Sequence, residues 1–271
     1  MVGDARGQRG DAARLTADLR AAYDTAADEW AGGPEHVYAR LARELVAYAP
    51  VPLVGRRVLD LGAGTGVAGR AALAAGAELV VAADPAVGML RRGGAALHPV
   101  AADAAALPFR DGSFDLVVAA FCLSHLGSVP AGLREARRVG RAIAASAFAP
   151  GWTHPAKEAA DGAFRSFGYQ PPGWYAALAP GSRAGDPEAL AQSAAAAGFT
   201  RVRVHTVSVP TGVATPADLV SWRLGMAHYA PFLRSLDPAG RATTRRAAER
   251  AVADAAPNGP LVVSMVVLTA G

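Results

Sequence analysis

Cysteine is almost missing from this chain of 271 residues. Cys122 is the only one, so no internal disulfide framework holds the fold, and a reducing compartment is expected. Lysine is equally scarce, with Lys157 alone, and Ile143 and Asn258 are the only isoleucine and asparagine. That bias has the pattern of a GC-rich coding sequence and says little about partners. No apolar run reaches the ~18 residues of a membrane-spanning helix. LVVSMVVL, near the C-terminus, has the length of a strand. The opening MVGDARGQRGDAARL lacks the apolar stretch of a secretory signal. No HxH or CxxC pair occurs, so no metal centre is expected. What is present is a core-building composition, 52% hydrophobic and 18% charged. These features predict a cytoplasmic globular protein with no membrane partner, a monomer or a homodimer.

The net charge of +4 invites a nucleic-acid reading. However, Arg134, Arg137, Arg138 and Arg141, and likewise Arg241, Arg245, Arg246 and Arg250, recur at helical spacing among Ala and Glu. A solvated helix face explains both clusters. Neither carries the interleaved aromatics of a single-strand groove, so no nucleic-acid partner is expected.

Residues 11–31 read as helix, with Leu15, Leu19, Tyr23, Ala27 and Trp30 on its apolar positions. A Gly-Gly-Pro break at 32–34 separates it from a second helix to about residue 48, making residues 1–50 a hinged helical cap. Then RRVLDLGAGTG, ELVVAADP, ALHPVAADAAALPF, FDLVVAAFCLSHL and AIAASAFAP alternate with helical stretches. Strands apolar throughout, separated by helices, predict an α/β fold with a parallel sheet covered on both faces. Residues 51–149 form its core and 150–271 the remainder of the same domain. Within that remainder, TRVRVHTVSVP and PLVVSMVVLTA read as strands six and seven. Segments 150–185 and 211–258 depart from the pattern and read as lid insertions.

Strand, glycine-rich loop and helix in succession present backbone amides to a ligand. Gly64-x-Gly66-x-x-Gly69 matches the dinucleotide fingerprint, with Asp84 about 20 residues beyond the loop at the end of strand two. Against that reading, Asp60 makes the motif D-x-G-x-G-x-G. A carboxylate there repels a pyrophosphate and attracts an ammonium. The turn also starts one step early, at Gly62.

VLDLGAGTG, AADP with ML following, AADAAALPF and FDLVVAAFCLSHL together resemble the successive motifs of class I S-adenosylmethionine-dependent methyltransferases, in particular the small-molecule, ubiquinone/menaquinone-type branch. The likeness covers about residues 54–148 and the closing strand. It implies a Rossmann-like, seven-stranded, mostly parallel sheet whose last strand is antiparallel. It also implies S-adenosylmethionine as cofactor and S-adenosylhomocysteine as product. Carried onto matching positions, it assigns Asp60, Gly62, Ala63 and Gly64 to the methionine end and Asp84 to the ribose. Pro85 and Met89 fall beside the adenine, and Asp103 and Ala104 at its exocyclic amine. Ala120 and Phe121 border the sulfonium, and Tyr23 belongs to a covering segment. Asp103 as a plain helix cap and Met89 as a core residue stay open beside these roles. The family's Pro-Gly-Gly turn before strand five is reduced here to Gly140.

Methyl transfer needs a general base only where the acceptor must lose a proton. His125, His154 and His228 are the candidates, with an exposed or merely packed histidine as the alternative for each. Trp30, Trp152, Trp174, Tyr175, Trp222 and Tyr229 lie outside the predicted sheet and suit a cleft for an apolar or aromatic small molecule. WRLGMAHYAPFL reads equally well as a buried amphipathic helix. The expectation is methyl transfer to a small molecule, O- or C-methylation favoured, with natural-product biosynthesis as one setting. Two alternatives stand beside it: the same fold and cofactor serving a cyclase, decarboxylase or hydroxylase, and a NAD-dependent oxidoreductase.

Overall fold

The computed structural model describes residues 16–178, 183–255 and 261–271. Seven strands form one sheet: β1 (Arg57–Leu61), β2 (Leu79–Asp84), β3 (Pro99–Ala101), β4 (Leu116–Ala120), β5 (Ile143–Phe148), β6 (Arg203–Pro210) and β7 (Val262–Ala270). Their order is β3-β2-β1-β4-β5-β7-β6. β1 to β5 are mutually parallel. β7 alone is reversed, running antiparallel to β5 (Ile143 opposite Ala270) and to β6 (Arg203 opposite Thr269). The expected fold class is the observed one.

Side-chain alternation on the strands sorts the core into two layers. Leu116 and Val118 of β4 and Ala144 of β5 pack with helices Pro34–Ala47 and Val67–Ala74. Val117, Ala119, Ile143 and Ala145 face the other way, onto helices Val129–Val139 and Pro187–Ala196. Because both faces are covered, the strands are apolar throughout, as the sequence suggested. Helix Pro187–Ala196 starts where the sequence puts its cap: Asp186 accepts the N–H groups of Glu188 and Ala189, with Pro187 at the first helical position.

The N-terminal segment differs from one continuous helix over 11–31. Helix occupies 16–25 and, after a kink at Ala26, Ala27–Gly32; residues 11–15 lie outside the described residues. The Gly-Gly-Pro break is a packing junction. A Cβ on Gly33 would stand 2.3 Å from the Ser221 carbonyl oxygen, so glycine lets helix Pro216–Leu224 approach the backbone.

The 150–185 segment carries helices Pro155–Ser166 and Gly173–Leu178; the 211–258 segment carries Pro216–Leu224, Ala230–Ser235 and Pro238–Asp254. Residues 179–182 and 256–258 of these segments lie outside the described ones. A buried charge cluster ties the two insertions together. Asp161 accepts from Arg223 Nε (2.8 Å) and Nη2 (3.2 Å), from Tyr229 Oη (2.7 Å) and from Lys157 Nζ (3.0 Å). Arg223 also stacks over the rings of Trp222 and Tyr229. Among the described residues, no helix is long and apolar enough to cross a membrane, and no group of three or more His, Cys, Asp and Glu is disposed to hold a metal.

Candidate functional site

β1 delivers its last residues into a tight loop. Asp60 points to the face covered by helix Val67–Ala74, where its Oδ2 accepts the Gly69 N–H at 2.6 Å. Burial pushes its carboxyl up to about 7, with Asp84 adding to the rise and the Gly69 hydrogen bond and Arg70 opposing it. Gly62, Gly64 and Gly66 all adopt positive φ (+65°, +54° and +81°). At Gly62 space is also short, since a Cβ there would lie 2.3 Å from Cys122 Cβ. Gly62→Ala is therefore expected to lower stability by about 1–3 kcal/mol in chemical denaturation, the scale of core overpacking.

Four of the loop's amides are already used. Gly62 and Ala63 N–H both donate to the Ala83 carbonyl (2.8 and 3.1 Å), Gly64 N–H to Asp84 Oδ2 (2.8 Å) and Gly66 N–H to the Ala63 carbonyl (2.7 Å). A pyrophosphate cradle needs such donors free, so the occupied glycine amides weigh against the dinucleotide reading of the motif. Asp84 Oδ1 accepts the Ala86 N–H (2.7 Å), completing a loop-to-loop clasp. Burial raises the Asp84 pKa, and the two amides oppose that shift. Asp103 is no helix cap. No helix follows it, and its Oδ1 accepts the Ala105 N–H (2.8 Å) within a turn closed by an Asp103–Ala106 bridge.

A cleft of about 710 Å³ opens at the carboxyl ends of β1, β2 and β4. It gathers Tyr23, Trp30, Asp60, Gly62, Ala63, Gly64, Asp84, Pro85, Met89, Asp103, Ala104, Ala120, Phe121, His125 and Tyr175 from the candidates. Met89 is both core and wall: it is 1% exposed, and its Cε lies 3.3 Å from the Cβ position of Gly64. Rings follow one another along the wall, with Tyr23 beside Trp30 (5.6 Å between centroids), Trp30 beside Tyr38 (5.0 Å), Tyr38 beside Phe121 (5.3 Å) and Phe121 beside Phe148 (4.8 Å). Phe121 sits at φ +56°, a left-handed conformation that costs a residue with a side chain energy. Its carbonyl oxygen is 3.2 Å from His125 Nδ1, and Tyr23 Oη is 3.4 Å from Nε2. A carbonyl only accepts, so Nδ1 carries the proton and Nε2 the lone pair, a tautomer assigned from these partners. Burial lowers the His125 pKa, with the Phe121 hydrogen bond opposing, which keeps the ring neutral at physiological pH.

Other candidates stand outside this cleft. Trp222 and Tyr229 are each 1% exposed, in the core of the insertions beside the Asp161 cluster. Trp152 stacks on Phe148 (5.3 Å, 14°) with Nε1 donating to the Val262 carbonyl. Trp174 packs with Leu19, Ala227 and Ala230. His228 stacks on Tyr175 (3.9 Å, 13°), and burial, with Arg223 adding to the effect, holds its pKa well below the usual imidazole value. His154 precedes helix Pro155–Ser166 without capping it, and its Nδ1 is buried without a hydrogen-bond partner. Conversely, Arg20, Tyr38, Thr65, Cys122, Phe148 and Met226 line the cleft although the sequence assigns none of them a role there. Tyr38 was hidden in the apolar stripe Val37-Tyr38-Leu41-Leu45, which reads as core alone.

Residues 59–143 match a protein-family profile described as "Methyltransferase domain". Over this stretch the chain is similar to methyltransferase domains, whose cofactor is S-adenosylmethionine. A demethylmenaquinone methyltransferase from Beutenbergia cavernae is 37% identical to the chain over 149 residues, covering 52% of this chain and 60% of that one. The chain thus spans less than two thirds of that curated relative. Two solved structures share the fold. One is a protein from Anabaena variabilis assigned as a methyltransferase of an antibiotic biosynthesis pathway (14% identity, TM-score 0.60, covering 84% of this chain and 96% of that one). The other is the [4+2]-cyclase SpnF (19% identity, TM-score 0.51, covering 86% and 80%).

The cleft fits S-adenosylmethionine. Asp60, Asp84, Asp103 and Asp186 line it against a single arginine, Arg20, so its wall attracts a ligand bearing a sulfonium and an ammonium. Thr65 Oγ1, buried in the same loop with no partner, is a polar atom left for such a ligand.

Proposed function

We propose that the protein moves the methyl group of S-adenosylmethionine to oxygen or carbon of a flat, electron-rich aromatic acceptor of the phenol or quinol type, as a biosynthetic step. The observation that carries this reading is His125, a neutral histidine whose Nε2 lone pair faces a cleft walled by aromatic rings. The likeness to the demethylmenaquinone methyltransferase of Beutenbergia cavernae supports a quinol-type acceptor.

When bound, the cofactor supplies a methyl group on cationic sulfur, open to in-line displacement. Asp84 accepts the ribose hydroxyls through its outward lone pairs, Asp103 accepts the adenine amine, and Asp60 answers the amino group at the methionine end. Ala120 and Phe121 border the reacting centre. The ring wall from Tyr23 to Phe148 excludes water and holds the acceptor flat, and such alignment is worth up to roughly 7–11 kcal/mol in well-oriented cases. Held this way, the cofactor would supply the methyl group to the acceptor's oxygen or carbon, the carbon–sulfur bonding pair remaining on sulfur. The acceptor's proton passes to His125 Nε2, where it displaces the Tyr23 hydroxyl.

Mass analysis of products from a panel of phenols and quinols is the test. One methyl gained per S-adenosylhomocysteine formed supports transfer; a product of unchanged mass, with the cofactor intact, overturns it.

A pH effect on binding is also expected. Asp60, held near 7, is partly protonated at neutral pH. A cationic amino group brought to it lowers that pKa, so binding releases a proton and tightens as pH rises through neutrality. Calorimetry in buffers of different ionisation enthalpy measures this release, and an affinity flat across neutrality would remove Asp60 from the amino-group site.

A further inference from the structure

The aromatic wall carries two hydroxyl groups that the protein itself does not use. Tyr38 lies on helix Pro34–Ala47 and Tyr175 on helix Gly173–Leu178, and both line the cleft. Neither phenol oxygen makes a hydrogen bond to another described residue. Tyr38 is only 7% exposed, and a tyrosine hydroxyl buried to that degree ordinarily has a partner.

Packing fixes where these rings stand. Tyr38 is edge-on to Phe121 (5.3 Å, 90°) and to Phe148 (6.3 Å, 80°), at the carboxyl ends of β4 and β5. Tyr175 is clamped by Trp174 (5.7 Å, 83°) and His228 (3.9 Å, 13°), and it packs on the same apolar cluster as Tyr23. Helix Pro216–Leu224 crosses behind Tyr38. A Cβ on Gly33 would meet the Ser221 carbonyl oxygen at 2.3 Å, and one on Gly225 would meet Pro34 Cδ at 2.3 Å. Arg223 falls between these two contacts, and Tyr38 lies one turn beyond Pro34, so the buried guanidinium is set near the phenol. Burial pushes the Tyr38 phenol well up, with Arg223 opposing that rise and Tyr175 adding to it. Burial also raises the Tyr23 phenol, with Tyr38, Asp84 and Tyr175 adding. Three phenols thus converge, and of them only Tyr23 has a partner, His125 Nε2.

We propose that the hydroxyls of Tyr38 and Tyr175 hold the acceptor's oxygen as an oxyanion, an inference that rests on the aromatic-acceptor reading of the cleft. A phenolate oxygen has lone pairs for both donors, and hydrogen bonds to a charged oxygen are the strong ones. Away from water, fixed donors of this kind count for more than they do in solution. The oxygen that yields its proton to His125 Nε2 keeps the electron pair of the broken O–H bond, and the two tyrosines donate to it. Arg223 adds positive charge from behind the wall. The acids do not share this half of the cleft. Asp60, Asp84 and Asp103 stand at or just beyond the ends of β1, β2 and β3, whereas Tyr38 faces β4 and β5, the next strands in the sheet. Arg20 and Asp186, the other charged groups along the cleft, are exposed.

The test is the ionisation of para-nitrophenol bound to the native chain with S-adenosylhomocysteine in place, read from the visible absorbance of its anion. Nitrobenzene serves as the same ring without the oxygen. The bound phenol is expected to ionise about one pH unit lower than it does free, a roughly tenfold preference for the anion. The shift should shrink in Tyr38→Phe and in Tyr175→Phe, and most in the double variant. Nitrobenzene and S-adenosylhomocysteine should bind these variants as they bind the native chain. An unshifted or raised ionisation in the native chain overturns the proposal, as does a shift that survives the double substitution. Equal losses for para-nitrophenol and nitrobenzene overturn it too, since the tyrosines then only pack. If the native complex binds neither aromatic, the aromatic-acceptor reading itself falls, a result separable from failure of the two hydroxyls alone.

Discussion

His125→Ala is expected to lose about 10²–10⁴-fold in kcat while S-adenosylhomocysteine binds as it does to the native chain. The asymmetry follows from the geometry. Nδ1 is committed to the Phe121 carbonyl and Nε2 only to Tyr23, through a long contact of 3.4 Å that an acceptor hydroxyl can replace. On the proposed reading the histidine serves the acceptor, so removing it leaves Asp60, Asp84 and Asp103 in place for the cofactor. The pH profile sharpens the test. Burial holds the imidazole below its ordinary pKa, so the rate of the native chain falls only as pH drops through that lowered value. His125→Ala should lack this acid limb. A variant running at full speed would show that His125 only supports the wall. Tyr23→Phe separates the two roles further, since it frees Nε2 without removing the base.

The largest effect on stability is expected at Asp161. Its carboxylate answers Arg223, which is 4% exposed, together with Tyr229 and Lys157. Asp161→Ala leaves the guanidinium buried without its counter-charge, a change that costs about 3–5 kcal/mol. Denaturant unfolding of the variant measures it, and a loss below about 1 kcal/mol, the scale of a surface pair, would contradict the burial of this cluster. The linkage sign is defined. Burial raises the Asp161 pKa, but Arg223 and the hydrogen bonds outweigh it and hold the group below its ordinary value. Its stabilisation is therefore present above the unfolded carboxylate pKa and is lost as pH falls through the lower folded value. That acid-side loss should be missing from the variant. Because Tyr229 beside the cluster adjoins His228, on which the cleft residue Tyr175 stacks, a weaker acceptor KM is expected to accompany the instability.

Much of this was legible in the sequence, and the exceptions have physical reasons. The strands of the parallel core are buried on both faces, so they lack the apolar–polar alternation of a half-exposed strand, and unbroken apolar runs such as LVVAA mark them directly. The glycine loop and Asp84 are tied by local hydrogen bonds, and the Gly64–Asp84 bond spans only 20 residues. The insertions obey no such local rule. An excursion of that size needs a core of its own, and Trp222, Tyr229 and Phe164 provide it, so an aromatic residue outside the sheet is not evidence of a cleft. Nor does spacing reveal that Asp161 and Arg223, 62 residues apart, meet. Tyr38 and Arg20 were missed for opposite reasons: one hid in a core stripe, and the other looked like any charge on a solvated helix.

The reversed β7 has a consequence for how the chain is assembled. Among the described residues β6 pairs with no strand but β7, and β7 fills the place between β5 and β6. During synthesis β5 presents an open edge, and β6 leaves the ribosome with no partner, until the later strand arrives to join them. Such unpaired edges are where nascent chains associate wrongly. The alternating face of β6, with Arg203, His205 and the other exposed side chains of that strand between its apolar residues, makes the waiting strand a poor template for another copy. The burden of finishing the sheet falls on β7, whose continuous apolar run leaves it one stable destination, between its two neighbours.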